Sequence, residues 1–240
     1  MNSTSSPVTG GSSAYDGPER PPVMAAIVAA LGVLLVGIGE SLLHFTGSLS
    51  ASGPDSLPFG FFLKISPERL YAGHFITVLT VSAYFLGYWH VSRRLAPVSL
   101  VQRRLFFGMS VYSLTLAAIW IGSRAYLARS LQIVEDPELR QMLASEYASL
   151  IESLIWGLRI GMLSLGAFFA WLVARGETSF PRWMALANPA FLLAGTISTL
   201  FVPSIGIYLV PAALNVAHVP FFLLSAFVPY AFRVEGHDPS

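Results

Sequence analysis

The sequence predicts an all-α integral membrane protein: a bundle of six transmembrane helices with both termini in the cytoplasm. Composition is the first indication, with 54% apolar and 11% charged residues and a mean hydropathy of +0.64. Soluble domains carry about 25% charged residues, so this chain has too few charges to solvate its own surface. Second, six apolar segments (23–45, 70–91, 105–128, 150–174, 183–202 and 207–232) approach or exceed the roughly 20 helical residues that cross a hydrocarbon core. In lipid each backbone amide must be satisfied within its own segment, which makes these helices rather than strands. The third is charge placement. Arg93, Arg94, Arg103, Arg104, Arg175 and Arg182 fall in the loops of one side with Arg20 and Arg233, eight cations against five on the other. That excess marks the cytoplasmic face.

Residues 1–22 are rich in Ser, Gly and Pro and read as a disordered cytoplasmic tail; 233–240 form a second, short one. The first apolar run lacks a cationic n-region and a small-residue cleavage site, so it reads as a retained span. It closes on Gly39-Glu40-Ser41-Leu42-Leu43-His44, with a small-residue seam below at Ala26, Ala30, Val33 and Gly37. The Gly/Ser/Pro-rich loop 46–65 follows and is a candidate lid. Ser66-Pro67-Glu68 starts the second span with a hydroxyl cap, a first-turn proline and an acid at the positive end of the helix dipole. The seam on that span is Gly73, Thr77, Thr80, Tyr84 and Gly87; on the third it is Ser110, Ser113, Ala117 and Trp120, ending at Arg124. Small and hydroxyl residues on one stripe let helices approach closely. Asp136-Pro137-Glu138 opens a helix that could run to Ala174, about 58 Å at 1.5 Å per residue, twice what lipid needs. Asn188-Pro189 starts the fifth span, and Pro211, Pro220 and Pro229 punctuate the sixth.

Several chemistries are excluded. With no cysteine there are no disulfides, thiolate nucleophiles or iron–sulfur ligands. The only lysine, Lys64, lies in a loop, so no Schiff base forms inside the bundle. A net charge of +1 and the lack of any recognition module argue against nucleic acid as a partner. No nucleophile elbow, P-loop or dinucleotide fingerprint occurs in context.

Counting depth along the spans puts the rare polar groups in one layer near the outer boundary: Glu40, His44, His74, Arg124, Glu152, Arg159, Asn215 and His218. Intramembrane charges cost roughly 2.5–3.5 kcal/mol or more each, so they face one another or a wet cavity. The layer reads as an outward-facing polar pocket. In an enzyme, Glu40 or Glu152 would carry a proton with His74 or His218 as partner, and these four are the candidate catalytic residues. His44, Arg124, Arg159 and Asn215 would hold the ligand, the arginines taking an anionic head group. Glu40, His44 and His74 could instead ligate a metal, or His44 and His74 a haem. The simplest alternative is interhelical pairing of Glu40 and His44 with Arg124 or Arg159. His90 belongs to an inner aromatic belt beside Tyr88 and Trp89, and Asn188 to the backbone around Pro189.

Four stretches carry a family likeness: Gly39-Glu40, Ser66-Pro67-Glu68-Arg69-Leu70, Pro181-Arg182-Trp183 leading to Asn188-Pro189, and Pro211-Ala212-Ala213-Leu214-Asn215. On these the chain resembles an uncharacterised bacterial six-span membrane protein family, defined only as a domain of unknown function. The resemblance implies the span count and the polar positions and brings no activity; its pattern favours Asp where this chain has Glu40. The expectation is therefore a multi-pass bacterial inner-membrane protein whose pocket takes a lipid-like or other amphipathic molecule, with acid–base chemistry as an option. A non-catalytic structural or accessory subunit and a haem or metal protein are the alternatives.

Overall fold

A computed structural model describes residues 23–46, 57–96 and 98–234, and among them every regular element is helical. Eight α-helices follow in order: α1 (Val23–His44), α2 (Pro67–Thr80), α3 (Ala83–Arg94), α4 (Leu100–Ile133), α5 (Pro137–Ala174), α6 (Pro189–Ser198), α7 (Pro203–Leu209) and α8 (Ala213–Val234). Short 3₁₀ turns at Gly60–Lys64, Arg182–Ala185, Thr199–Phe201 and Val210–Ala212 link them.

Among the described residues, five stretches are long and apolar enough to cross a membrane: Val23–His44, Pro67–Arg94, Leu100–Ile133, Pro137–Ala174 and Pro203–Val228. The expected fifth span differs. It is a 3₁₀ turn at Arg182–Ala185 followed by an apolar stretch of only Pro189–Phe201, which spans about 20 Å if wholly α-helical. The second span is broken too, between α2 and α3. Thr77 and Thr80 donate their hydroxyls to the carbonyls of Gly73 and Ile76, a back-bonding that bends helices. The ladder then tightens to Tyr84 N–Val81 O and Phe85 N–Ser82 O.

The expected caps are present. Ser66 accepts from Arg69 N and Asp136 from Glu138 N, while Asn188 Oδ1 accepts from the amides of Ala190 and Phe191. α4 starts five residues earlier than its apolar run, on a reciprocal capping box between Ser99 and Gln102.

α1 is the hub, packed against α2, α3 and α8. Backbones touch where glycines allow it: a Cβ on Gly73 would lie 2.7 Å from the Gly39 carbonyl oxygen, and one on Gly39 would overlap Thr77 Oγ1. α3 and α8 run parallel in a constant register, Tyr84 pairing with Asn215, Tyr88 with His218, and Arg94 with the Ala226 carbonyl. Below the Tyr88–His218 rung, Phe106, Phe169, Phe221 and Phe222 fill the core with edge-to-face and tilted ring contacts. Outward faces carry Leu31, Ile119, Leu163 and Phe191, exposed apolar residues that belong in a hydrocarbon environment.

Two bundle ends are defined by loop contacts. At one, Ser179 Oγ donates to the Arg94 carbonyl, joining the connections that follow α3 and α5. At the other, Gln132 on α4 donates to the carbonyls of Phe62 and Ile65. Phe62 and Ile65 are themselves buried, so the second half of the expected lid is pinned to α4. Its first half and the two tails fall mainly outside the described residues.

Candidate functional site

α1, α4 and α8 each bring one buried polar side chain to a common point. Glu40 sits one turn before the end of α1, its Oε2 accepting from Asn215 Nδ2 at 2.5 Å and its Oε1 3.4 Å from Arg124 Nη1. Asn215 Oδ1 in turn accepts from the Tyr84 hydroxyl at 2.6 Å. The Arg124 Nη1–H also reaches His44 Nε2 at 2.6 Å, and the guanidinium lies 3.3 Å from the centroid of the Trp120 ring. His44 therefore accepts from a guanidinium, which requires a neutral imidazole with a lone pair on Nε2. The result is one chain of partners, His44–Arg124–Glu40–Asn215–Tyr84, that ties four helices together.

His218 lies one turn below Asn215, with the Tyr84 ring packed edge-on against it at 4.9 Å. Its Nδ1 is 2.6 Å from the Leu214 carbonyl and must carry the proton there; Nε2 is then the acceptor for the Tyr88 hydroxyl at 2.7 Å. Sequence reasoning had placed Tyr88 in an interfacial belt. It is fully buried, and its spacing of four from Tyr84 on a seam of small residues was the available signal.

Three candidates fall elsewhere. Glu152 and Arg159 pair with each other at 3.5 Å on the outer face of α5, each side chain about half exposed, with Arg159 over the Trp156 ring. The inward face of α5 carries Ile151, Leu158, Met162 and Leu165. Glu152 and Arg159 each follow an inward residue by one position, about 100° round the helix, which turns both away from the bundle interior. His74 stacks edge-on against Phe75 and Tyr126, and its Nδ1 has no hydrogen-bond partner among the described residues. The expected layer thus resolves into a cluster of Glu40, His44, Arg124, Asn215 and His218, with Tyr84, Tyr88 and Trp120 added.

Metal ligation by Glu40, His44 and His74 would need their donor atoms to converge. Among the described residues no three His, Asp or Glu side chains gather closely enough to hold an ion. His44 packs on Phe61 and Phe62 while His74 faces Tyr126, so the two imidazoles have different surroundings.

Beside the cluster a groove of ≈ 460 Å³ runs between α1 and the α7–α8 segment. Leu34 and Ile38 form one wall, Val216 and Val219 the other, and Asn215 lies in its floor. Phe45, Arg69 and Tyr208 frame its upper end, where Phe45 and Tyr208 stack at 5.5 Å. Arg69 Nη2 donates to the carbonyls of Leu42 and Phe45 and so caps the end of α1. In sequence Arg69 is one of the five cations opposite the arginine-rich side and part of the Ser66–Leu70 stretch; its reach back to α1 is a tertiary contact that no local pattern signals.

Five membrane-length apolar helices around a buried polar core define a helical membrane protein. Within that class, the chain belongs to a family of unknown function, DUF6796, whose pattern matches residues 23–230, all of the helical bundle but its last turn. No curated protein and no solved structure matches it.

Proposed function

We propose that the protein is a multi-pass bundle of the bacterial inner membrane that binds a lipid-like, amphipathic molecule in the groove between α1 and α7–α8. On this reading the arginine-rich end holding Arg94 and Arg175 is cytoplasmic, and the groove's upper end, beside Arg69, lies near the outer surface. One observation carries the reading: Asn215 lines the groove and at the same time donates to the buried Glu40. A groove of this size lies within the range of about 300–1,000 Å³ that small-molecule sites occupy, and its apolar walls suit an alkyl chain. Any acid–base step would fall to Glu40, acting from behind Asn215. Both carboxylate oxygens already have partners, which favours binding over catalysis.

A non-catalytic structural subunit is the second reading, favoured by that same internal satisfaction of Glu40, Asn215 and Tyr84. Native mass spectrometry of the protein extracted in a mild uncharged detergent separates the two. The binding reading expects one amphiphile retained per chain and lost in Ile38→Trp, whose indole would occupy the groove while the side chain stays on an outward face. Retention of no amphiphile, or of one that the substitution leaves undisturbed, supports the structural reading.

A further inference from the structure

Resting on the binding reading above, we infer that the groove's ligand is a single-chain anionic amphiphile, its head group held by Arg69 and its chain running inward past Ile38 and Leu34. Three features of the groove point to this class.

The first is charge. Among the described residues, Arg69 is the only charged one that lines the groove. The buried carboxylate of Glu40 lies behind Asn215 and is already paired with Arg124. Arg69 spends Nη2 on the two α1 carbonyls, and Nε and Nη1 keep their N–H donors for an anionic oxygen. A cationic head there would meet a guanidinium, and a neutral one would leave the guanidinium without a counter-charge.

The second is position. Arg69 sits at the end of α1, against the carbonyls of Leu42 and Phe45, whereas the rest of the groove descends to Leu34. From Phe45 to Leu34 along α1 is about 16 Å, all of it beside apolar side chains apart from Ser41 and Asn215. Charge at one end and hydrocarbon below it is the polarity of an amphiphile standing in an outer leaflet.

The third is width. At Gly37 the two helices nearly meet: a Cβ there would lie 3.1 Å from the Asn215 Cβ. With α1 and α8 this close beneath it, the groove's ≈ 460 Å³ suits one alkyl chain better than the paired chains of an ordinary phospholipid.

The test is a head-group series of fixed chain length, measured by native mass spectrometry on the full-length protein: oleate, oleoyl lysophosphatidate, oleyl alcohol and oleylamine. One-to-one binding of an anion, about tenfold tighter than the alcohol, is expected, since a charge-assisted hydrogen bond supplies at least that factor. Whichever of oleate and lysophosphatidate binds more tightly identifies the head as carboxylate or phosphate. Arg69→Gln is expected to erase the preference for anions and Arg69→Lys to restore most of it. Because Arg69 also caps α1, the wild-type series is decisive by itself if both variants fold poorly. Equal binding of alcohol and oleate overturns the anionic assignment and leaves the groove as a general amphiphile site. Failure of all four to bind overturns this inference together with the binding reading.

Discussion

Asn215 donates its side-chain amide to Glu40 Oε2 across the α1–α8 contact, at 2.5 Å, while its carbonyl oxygen accepts from Tyr84 on α3. An amide in this position has one donor side and one acceptor side in use, so its orientation is fixed by its neighbours. It links a buried ion pair to the parallel α3–α8 register and to the floor of the groove.

Replacing Glu40 by Gln should leave the Arg124 guanidinium buried without its counter-ion. Breaking a buried pair from one side costs about 3–5 kcal/mol, and thermal unfolding in detergent should show a large drop in midpoint. Adding Arg124→Met should recover much of that loss, because the isolated charge goes with it. A double variant no more stable than Glu40→Gln alone would show that Arg124 is held by His44 and Trp120 and owes Glu40 little.

The pair Glu152–Arg159 has almost the same separation, 3.5 Å against 3.4 Å, in opposite surroundings. Its side chains are 53% and 52% exposed, compared with 6% for both Glu40 and Arg124. With both groups at head-group level and reaching water, an exposed pair of this kind contributes about 0–1 kcal/mol, so Glu152→Gln should move the unfolding midpoint little. A loss approaching that of Glu40→Gln would place the α5 face in a desolvated contact.

Tyr88→Phe would strip His218 Nε2 of its donor, and Tyr84→Phe would do the same to Asn215 Oδ1. Interhelical hydrogen bonds in membrane bundles contribute about 0.6–2 kcal/mol, and each substitution should lower stability by that order. Among the described residues no hydrogen bond joins the two rungs, so the double variant should be near the sum of the singles. Marked non-additivity would show that the Tyr84–His218 ring contact couples them.

Much of this arrangement was legible in the chain, and its gaps have physical causes. Glu40, Arg124 and Asn215 stood out because polar side chains in apolar helices are expensive and must find one another. Glu152 and Arg159 obeyed the same rule by pairing along one helix, a solution that depth counting cannot distinguish from convergence across helices. The break after Thr80 has no proline to announce it and arises from hydroxyls bonding back to the preceding turn. Arg69 was missed because its partners are the carbonyls of Leu42 and Phe45, at least 24 residues away in sequence.

Glycines separate close approach from mere flexibility. Gly39→Ala would drive a methyl into Thr77 Oγ1 and to 2.8 Å from the Gly73 carbonyl oxygen, so α1 and α2 would have to move apart. It should destabilise the protein by more than the roughly 1 kcal/mol that alanine contributes through helix propensity. Gly108 and Gly122 have no atom within 4 Å of an added Cβ, and their alanine variants should be neutral or slightly more stable. Comparable losses at all three positions would remove the α1–α2 approach from the account of the bundle.

Topology can be tested cleanly because the chain contains no cysteine to mask a single introduced one. Lys64 and Glu135 belong to one bundle end, where Gln132 bridges to Phe62 and Ile65. Leu100 and Glu177 belong to the other, where Ser179 joins the loop after α3. Arg93, Arg94, Arg103, Arg104, Arg175 and Arg182 cluster in sequence around that second end, which the positive-inside rule assigns to the cytoplasm. Lys64→Cys and Glu135→Cys should then react with a membrane-impermeant maleimide in intact spheroplasts, and Leu100→Cys and Glu177→Cys only after permeabilisation. The reverse pattern would turn the bundle over and move Arg69 to the inner leaflet. Disagreement between Leu100 and Glu177 would mean that α4 and α5 do not cross as a hairpin, and the count of spans would have to change with them.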